Sequence, residues 1–259
     1  LRPKSLGSGV IMTKKGHILT NYHVIADADQ IIVALQDGRL FTGELVGADI
    51  PTDLAVLSIK AETLPVIPQN ESQAPQVGDV VLAIGNPYNV GQTITQGIIS
   101  ATGRIGLSTM GPDSNGRQDL LQTDAAINSG NSGGALVNTN GELVGINAAS
   151  YQLNNADSSG ISFAIPYQLA NRIMRELIAS GRVSRGYVGI STVDVDPVTA
   201  RLMNLGELRG LVIENLDPNG PGAKAGLQTG DILTKLDNKA LEGVRSAMDT
   251  IAEAKPGTK

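Results

Sequence analysis

The chain has 259 residues, 41% of them hydrophobic, with 20 basic against 25 acidic side chains and a formal net charge of −5. At about 100–200 residues per domain this is room for a full core and two domains, and neither the charge balance nor any basic run suits nucleic-acid binding. Cysteine is absent and the only histidines are His17 and His23, which removes disulfides, thiolate ligands and a structural metal centre, so no metal or cofactor is expected.

Short β-type runs recur as far as about residue 166: Val10 to Met12, Ile31 to Leu35, Leu54 to Ile59, Val80 to Ile84, Thr93 to Ser100, Ala135 to Val137 and Leu143 to Ile146. Turn signals at Lys15-Gly16, Asp37-Gly38, Gly85-Asn86-Pro87 and Asn140-Gly141 separate them, a pattern that favours a barrel or sandwich. From Pro166 to Ser180 the period becomes helical, with Leu169, Ile173, Leu177 and Ile178 predicted on one face and Gly181 as the C-terminal cap. A smaller unit follows, with strands predicted at Tyr187 to Ser191, Leu211 to Glu214 and Ile232 to Leu236 and a helix over Leu241 to Ala254. The polar stretches Ser108 to Arg117 and Tyr151 to Gly160 read as loops. No stretch reaches the roughly 18 apolar residues needed to span a bilayer. Both ends read as cut, so an inner-membrane anchor, if the protein has one, is expected to be absent from this chain.

The chemistry concentrates at Gly130-Asn131-Ser132-Gly133-Gly134. A nucleophilic serine needs a base to take its proton and a carboxylate to orient that base. Both histidines precede Ser132, which eliminates the Ser, Asp, His order of the α/β-hydrolases, and no Asp precedes Asp27, which eliminates the Asp, His, Ser order. The order His, Asp, Ser remains. His17 sits in the turn Lys14-Lys15-Gly16-His17 and reads as structural, whereas His23 follows Ile18 and Leu19 and is the expected base. Asp53 opens the apolar run Leu54-Ala55-Val56-Leu57, where a charge needs a partner, and is the expected acid; Asp124 is the competitor. Gly130 tolerates the backbone angles of an oxyanion hole, whose donors would be the amides of Gly130 and Ser132 with Asn131 as the turn between them. Ile127, Asn128 and Ser129 are expected to line the substrate cleft.

Thr20-Asn21-Tyr22-His23-Val24, Thr52-Asp53-Leu54-Ala55-Val56-Leu57, Gly85-Asn86-Pro87 and Thr123 to Leu136 together resemble the HtrA (Deg) family of trypsin-like proteases. The resemblance implies a mainly β chain: two six-stranded β-barrels with the triad in the cleft between them over residues 1–181, then a PDZ domain, incomplete at its C-terminus, over 182–259. Gly186-Tyr187-Val188-Gly189-Ile190 and Pro221 to Leu227 resemble the PDZ carboxylate loop and core, with Tyr187, Val188, Gly189 and Ile190 as the peptide-binding residues.

Within the family, the stretch from Gly78 to Leu107 is most similar to the membrane-anchored, trimeric periplasmic stress sensors. In these, C-terminal peptides of misfolded outer-membrane proteins bind the PDZ domain and switch on cleavage of an anti-sigma factor. The resemblance implies that Arg104, with Tyr88 and Gln122, links peptide occupancy to the protease. Two other functions stay open: a quality-control protease or chaperone of unfolded periplasmic proteins, and a catalytically silent peptide-binding scaffold.

Overall fold

The structure, a computed structural model, describes residues 6–69, 74–86, 91–104, 120–128, 130–148, 160–195, 200–201, 210–241 and 243–258. Tyr88, Ser129 and the expected loops, apart from Gly160, lie outside these residues. The chain divides into two compact units, Leu1–Val183 and Ser184–Lys259.

The first unit begins with five strands, β1 (Val10–Ile11), β2 (His17–Asn21), β3 (Ile31–Ala34), β4 (Leu40–Asp49) and β5 (Leu54–Ser58), with a one-turn helix α1 (Tyr22–Ile25) after β2. They pair in the order β1-β2-β5-β4-β3, all antiparallel, so the described part of this half is a five-stranded sheet where the resemblance implied six strands. Its apolar face buries Ile18, Ile25, Ala55, Leu57, Ile59 and Leu64.

Six further strands close into a barrel: β6 (Val80–Gly85), β7 (Thr93–Arg104), β8 (Leu120–Thr123), β9 (Ala135–Asn138), β10 (Leu143–Asn147) and β11 (Ser162–Pro166), in the order β10-β11-β8-β7-β6-β9. Closure leaves no edge strand to pair with another chain. A helix, α2 (Tyr167–Ser180), then lies with Tyr167, Ala170, Ile173, Met174 and Leu177 buried in the largest apolar cluster of the unit. Each such side chain as large as Ile173 or Leu177 stabilises the fold by about 1.5–3 kcal/mol. Ile178, expected on that face, is instead 36% exposed, because the buried stripe follows Ala170, Met174 and Leu177. Gly181 caps the helix at φ 72°, its N–H bonding the Leu177 carbonyl at 2.8 Å.

In the second unit, β12 (Ile190–Asp194), β13 (Leu211–Leu216) and β14 (Ile232–Leu233) form a three-stranded sheet, and β15 (Lys235–Leu236) with β16 (Lys239–Ala240) a hairpin. Among the described residues it also has the helices α3 (Pro221–Lys224) and α4 (Val244–Glu253). The predicted strand at Tyr187 starts three residues later, since Gly189 at φ 81° breaks the extended run. The last helix also starts later than Leu241, whose N–H bonds the Thr234 carbonyl; Asp194 Oδ1 instead accepts the Val244 N–H at 2.9 Å.

Candidate active site

The pairing of β2 with β5 sets Asn21 opposite Leu54. The residues just past Asn21 therefore meet the residue just before Leu54, and those are His23, carried on α1, and Asp53. Asp53 takes the left-handed conformation, φ 53°, which Asp tolerates better than most residues, and its N–H closes a 3-10 turn on the Ile50 carbonyl at 3.0 Å. Its carboxylate is fully buried and both oxygens reach the same residue: Oδ2 lies 2.7 Å from His23 Nδ1, and Oδ1 accepts the His23 backbone N–H at 2.9 Å. The Asp53 carbonyl accepts the Tyr22 N–H and the Asn21 side-chain amide, each at 3.0 Å, which ties α1 to the same turn. Facing a carboxylate, Nδ1 is the protonated ring nitrogen and the lone pair lies on Nε2, the arrangement a general base requires. The His23 side chain keeps 25% of its surface exposed.

The competitors have other partners. The His17 ring pairs with the Thr13 hydroxyl at 2.9 Å at the far end of β2. Asp124 is exposed, and its Oδ1 accepts the Ile98 N–H of β7 at 2.7 Å, a local structural bond.

Ser132 is 4% exposed in a loop fastened on several sides. The Asn131 N–H bonds the Asn128 carbonyl and the Gly134 N–H the Asn131 carbonyl, both at 2.9 Å, so Asn131 is the turn residue and its own amide is committed. The Gly133 N–H donates to the Asn147 carbonyl of β10 and the Asn147 N–H to the Gly134 carbonyl, both at 2.9 Å. At φ 80° Gly133 lies so close to Ser8, Thr20 and Asn21 that a side chain would strike the Ser8 carbonyl and the Thr20 hydroxyl. The Ser132 loop is thereby seated on the end of β2 that leads into His23. Gly130 has φ 99°.

Among the residues expected to line the cleft, Ile127 is turned into the barrel core, 5% exposed beside Val81, Ala83 and Ile99, because it continues the inward alternation of β8 through Ala125. Asn128 is the expected cleft residue that presents surface in the described part of the chain. Arg104 and Gln122 meet across β7 and β8, with Arg104 Nε donating to Gln122 Oε1 at 2.9 Å.

In the second unit, the Val188 carbonyl accepts the Gly222 N–H and the Gly189 carbonyl the Asp217 N–H, both at 2.8 Å. In a trans peptide the N–H points opposite to the C=O, so the amides of Gly189 and Ile190 are directed away from that 217–222 segment. Two successive outward amides are what a terminal carboxylate needs. Tyr187, 63% exposed, donates its hydroxyl to Asp217 Oδ2 at 2.8 Å; this bond raises the phenol's pKa. The Asn219 backbone N–H first, and Tyr187 second, lower that of the Asp217 carboxyl.

Three residues hold positions to which the sequence patterns assign no role. Ser8 bonds both Gly130 and Ser132; Asn147, fully buried, holds the Ile84 and Ala135 carbonyls through Nδ2 at 3.1 and 3.0 Å; Asn21 anchors the Asp53 turn. The signal for Ser8 is its place between Gly7 and Gly9 just before the first strand. Among the described residues no cluster of three metal-ligating side chains occurs, and no helix is long and apolar enough to cross a membrane.

A family model described as a trypsin-like peptidase domain matches residues 7–146, and one described as a PDZ domain matches residues 186–259. The chain is 56% identical over 261 residues to the serine endoprotease DegS of Escherichia coli K12, covering 100% of this chain and 72% of that protein. It is 43% identical over 258 residues to the periplasmic pH-dependent serine endoprotease DegQ of the same strain, covering 99% of this chain and 55% of that protein. The solved HtrA-type protease AlgW with decapeptide matches with a TM-score of 0.87 and 46% identity over 98% of this chain and 76% of that one. The serine endoprotease from Yersinia pestis matches with a TM-score of 0.82 and 52% identity over 100% and 83%. This chain belongs to the HtrA family of trypsin-like serine endoproteases, its peptidase domain followed by a PDZ domain.

Proposed function

We propose that the chain is a regulated endopeptidase of the DegS type, with Ser132 as nucleophile, His23 as base and Asp53 as the orienting acid. The observation that carries this is the double grip of Asp53 on His23, beside which the Ser132 loop is seated. Ser132 Oγ attacks the scissile carbonyl carbon while its proton passes to His23 Nε2, and the amides of Gly130 and Ser132 receive the oxyanion. The tetrahedral intermediate collapses with loss of the amine, which takes the proton from His23. Water then repeats the sequence on the acyl-enzyme and frees Ser132.

The outward amides of Gly189 and Ile190 take the C-terminal carboxylate of an activating peptide, which adds as a strand to the sheet edge. Peptides from the C-termini of misfolded outer-membrane proteins are the proposed activators, and an anti-sigma factor the proposed substrate. Arg104, which bonds Gln122 at 2.9 Å, and Tyr88 are the proposed relay by which peptide occupancy switches on the protease. The working form is a periplasmic homotrimer, anchored to the inner membrane in the full-length protein. The periplasmic naming of the relative DegQ supports the compartment.

A fluorophosphonate probe tests this reading. Labelling should depend on Ser132, vanish in Ser132→Ala, and rise with a peptide carrying a free C-terminal carboxylate but not with its amide. No Ser132-dependent labelling, even with peptide, would overturn the enzyme reading in favour of a silent scaffold. Peptide-independent labelling with broad degradation of unfolded proteins would replace the DegS-type role with a quality-control one.

A further inference from the structure

Ser8 joins three segments of the first unit. Its hydroxyl donates to the Gly130 carbonyl at 2.7 Å and accepts the Asn86 N–H at 3.0 Å. Its N–H donates to the Ser132 carbonyl at 2.8 Å, and its carbonyl accepts the Thr20 hydroxyl at 2.7 Å. The nucleophile loop, the end of β6 and the strand leading to His23 thus converge on one residue.

The bond to Gly130 has a specific effect. The peptide unit between Gly130 and Asn131 is held at both ends, its C=O by the Ser8 hydroxyl and its N–H by the Asn128 carbonyl at 2.9 Å. A glycine, lacking Cβ, otherwise rotates freely about both of its backbone bonds. With that peptide and the Gly130 Cα fixed in place, the direction of the Gly130 N–H depends on the two torsions of Gly130 alone.

From this we propose that Ser8 is a positioning residue for the oxyanion donor: its hydroxyl fixes the Gly130–Asn131 peptide so that the Gly130 amide faces the developing oxyanion. This rests on the serine-protease reading above. Stabilisation by such a donor is realised in the transition state, and loss of one donor costs about 10²–10³ in kcat. Loosening the donor costs less than deleting it.

In the full protein with activating peptide, Ser8→Ala should lower kcat about 10- to 100-fold with KM within about twofold. A peptidyl boronate, which mimics the tetrahedral intermediate, should lose affinity by a similar factor. Ser8→Thr, which keeps the hydroxyl, should restore most of kcat. Should Ser8→Ala fail to fold, Ser8→Cys, similar in size but a weaker donor, should show an intermediate fall in kcat. Unchanged kcat and boronate affinity in Ser8→Ala or Ser8→Cys would overturn the proposal, as would a change in KM alone. A wild-type protein that does not label at Ser132 would instead overturn the protease reading itself.

Discussion

Asp53 holds His23 by two bonds of different kinds, one carboxylate oxygen on the ring nitrogen at 2.7 Å and the other on the backbone amide at 2.9 Å. The first sets the tautomer and the second sets where the residue stands. An acid that did only the first would leave the imidazole free to swing with its one-turn helix.

Asp53→Asn separates the two effects. Asn also tolerates the left-handed backbone at φ 53°, so the turn should survive, but a side-chain N–H facing Nδ1 favours the wrong tautomer. The expected outcome is a fall in kcat of about 10⁴, the size typical of the same change in chymotrypsin-type triads, with thermal stability little altered. Steady-state kinetics alongside a melting curve decide it; a variant that keeps more than about a tenth of wild-type kcat removes Asp53 from the triad.

Gly133→Ala should cost both activity and stability. The added methyl meets the Ser8 carbonyl and the Thr20 hydroxyl, and φ 80° is unfavourable for alanine, so a destabilisation of about 1–3 kcal/mol is expected together with loss of fluorophosphonate labelling. Urea unfolding and labelling are the measurements, and full labelling in a stable variant would contradict the seating of the loop on β2.

The Tyr187–Asp217 bond predicts two pH limbs. The Asp217 carboxyl titrates below the usual value of about 3.9, so the stability it contributes is present above that value and is lost as pH falls through the lowered one. The Tyr187 phenol titrates above the usual value of about 10, so its contribution is present below pH 10 and is lost as pH rises through the raised one. Melting temperatures across pH 2–5 and pH 9–12 should show the acid limb absent and the alkaline limb weakened in Asp217→Asn, and the alkaline limb absent and the acid limb weakened in Tyr187→Phe, where the Asn219 N–H still holds the Asp217 carboxyl low.

Arg104→Ala removes the bond to Gln122. Peptide-stimulated proteolysis should fall several-fold while the affinity of the isolated peptide for the chain, read by fluorescence anisotropy, stays unchanged. Equal loss of stimulated and unstimulated activity would make the contact merely structural.

The strands legible in the sequence are apolar runs, whether alternating in burial, as in Ile31–Ala34 and Val80–Gly85, or buried on both faces. Leu54 to Leu57 and Leu143 to Ile146 are buried at every position and appear as continuous apolar runs. β4 and β2 are not legible in this way. β4 leaves Leu40 and Leu45 exposed, at 68% and 55%, and interrupts its inward positions with glycine, so no alternation stands out. β2 ends in Thr20 and Asn21, buried polar side chains whose hydroxyl and amide N–H donate to the Ser8 and Asp53 carbonyls, bonds invisible without the fold. For the proposed triad, chain order leaves only the sequence His, Asp, Ser, and the apolar surroundings of His23 and Asp53 single them out from His17 and Asp124. The side of the barrel wall on which Ile127 falls depends on closure of the six strands, which local pattern does not encode.

The pairing of Asn21 with Leu54 also makes catalysis vulnerable to a kind of error that stability assays would miss. A slip of two residues between β2 and β5, which keeps each side chain on its own face, would draw Asp53 away from His23 by two strand steps, about 6.6 Å, beyond hydrogen-bond reach. Such a chain could still bury much of its barrel and resist proteolysis. The folding quality of this enzyme is therefore best judged by counting active sites, since a melting curve would pass a misaligned chain as sound.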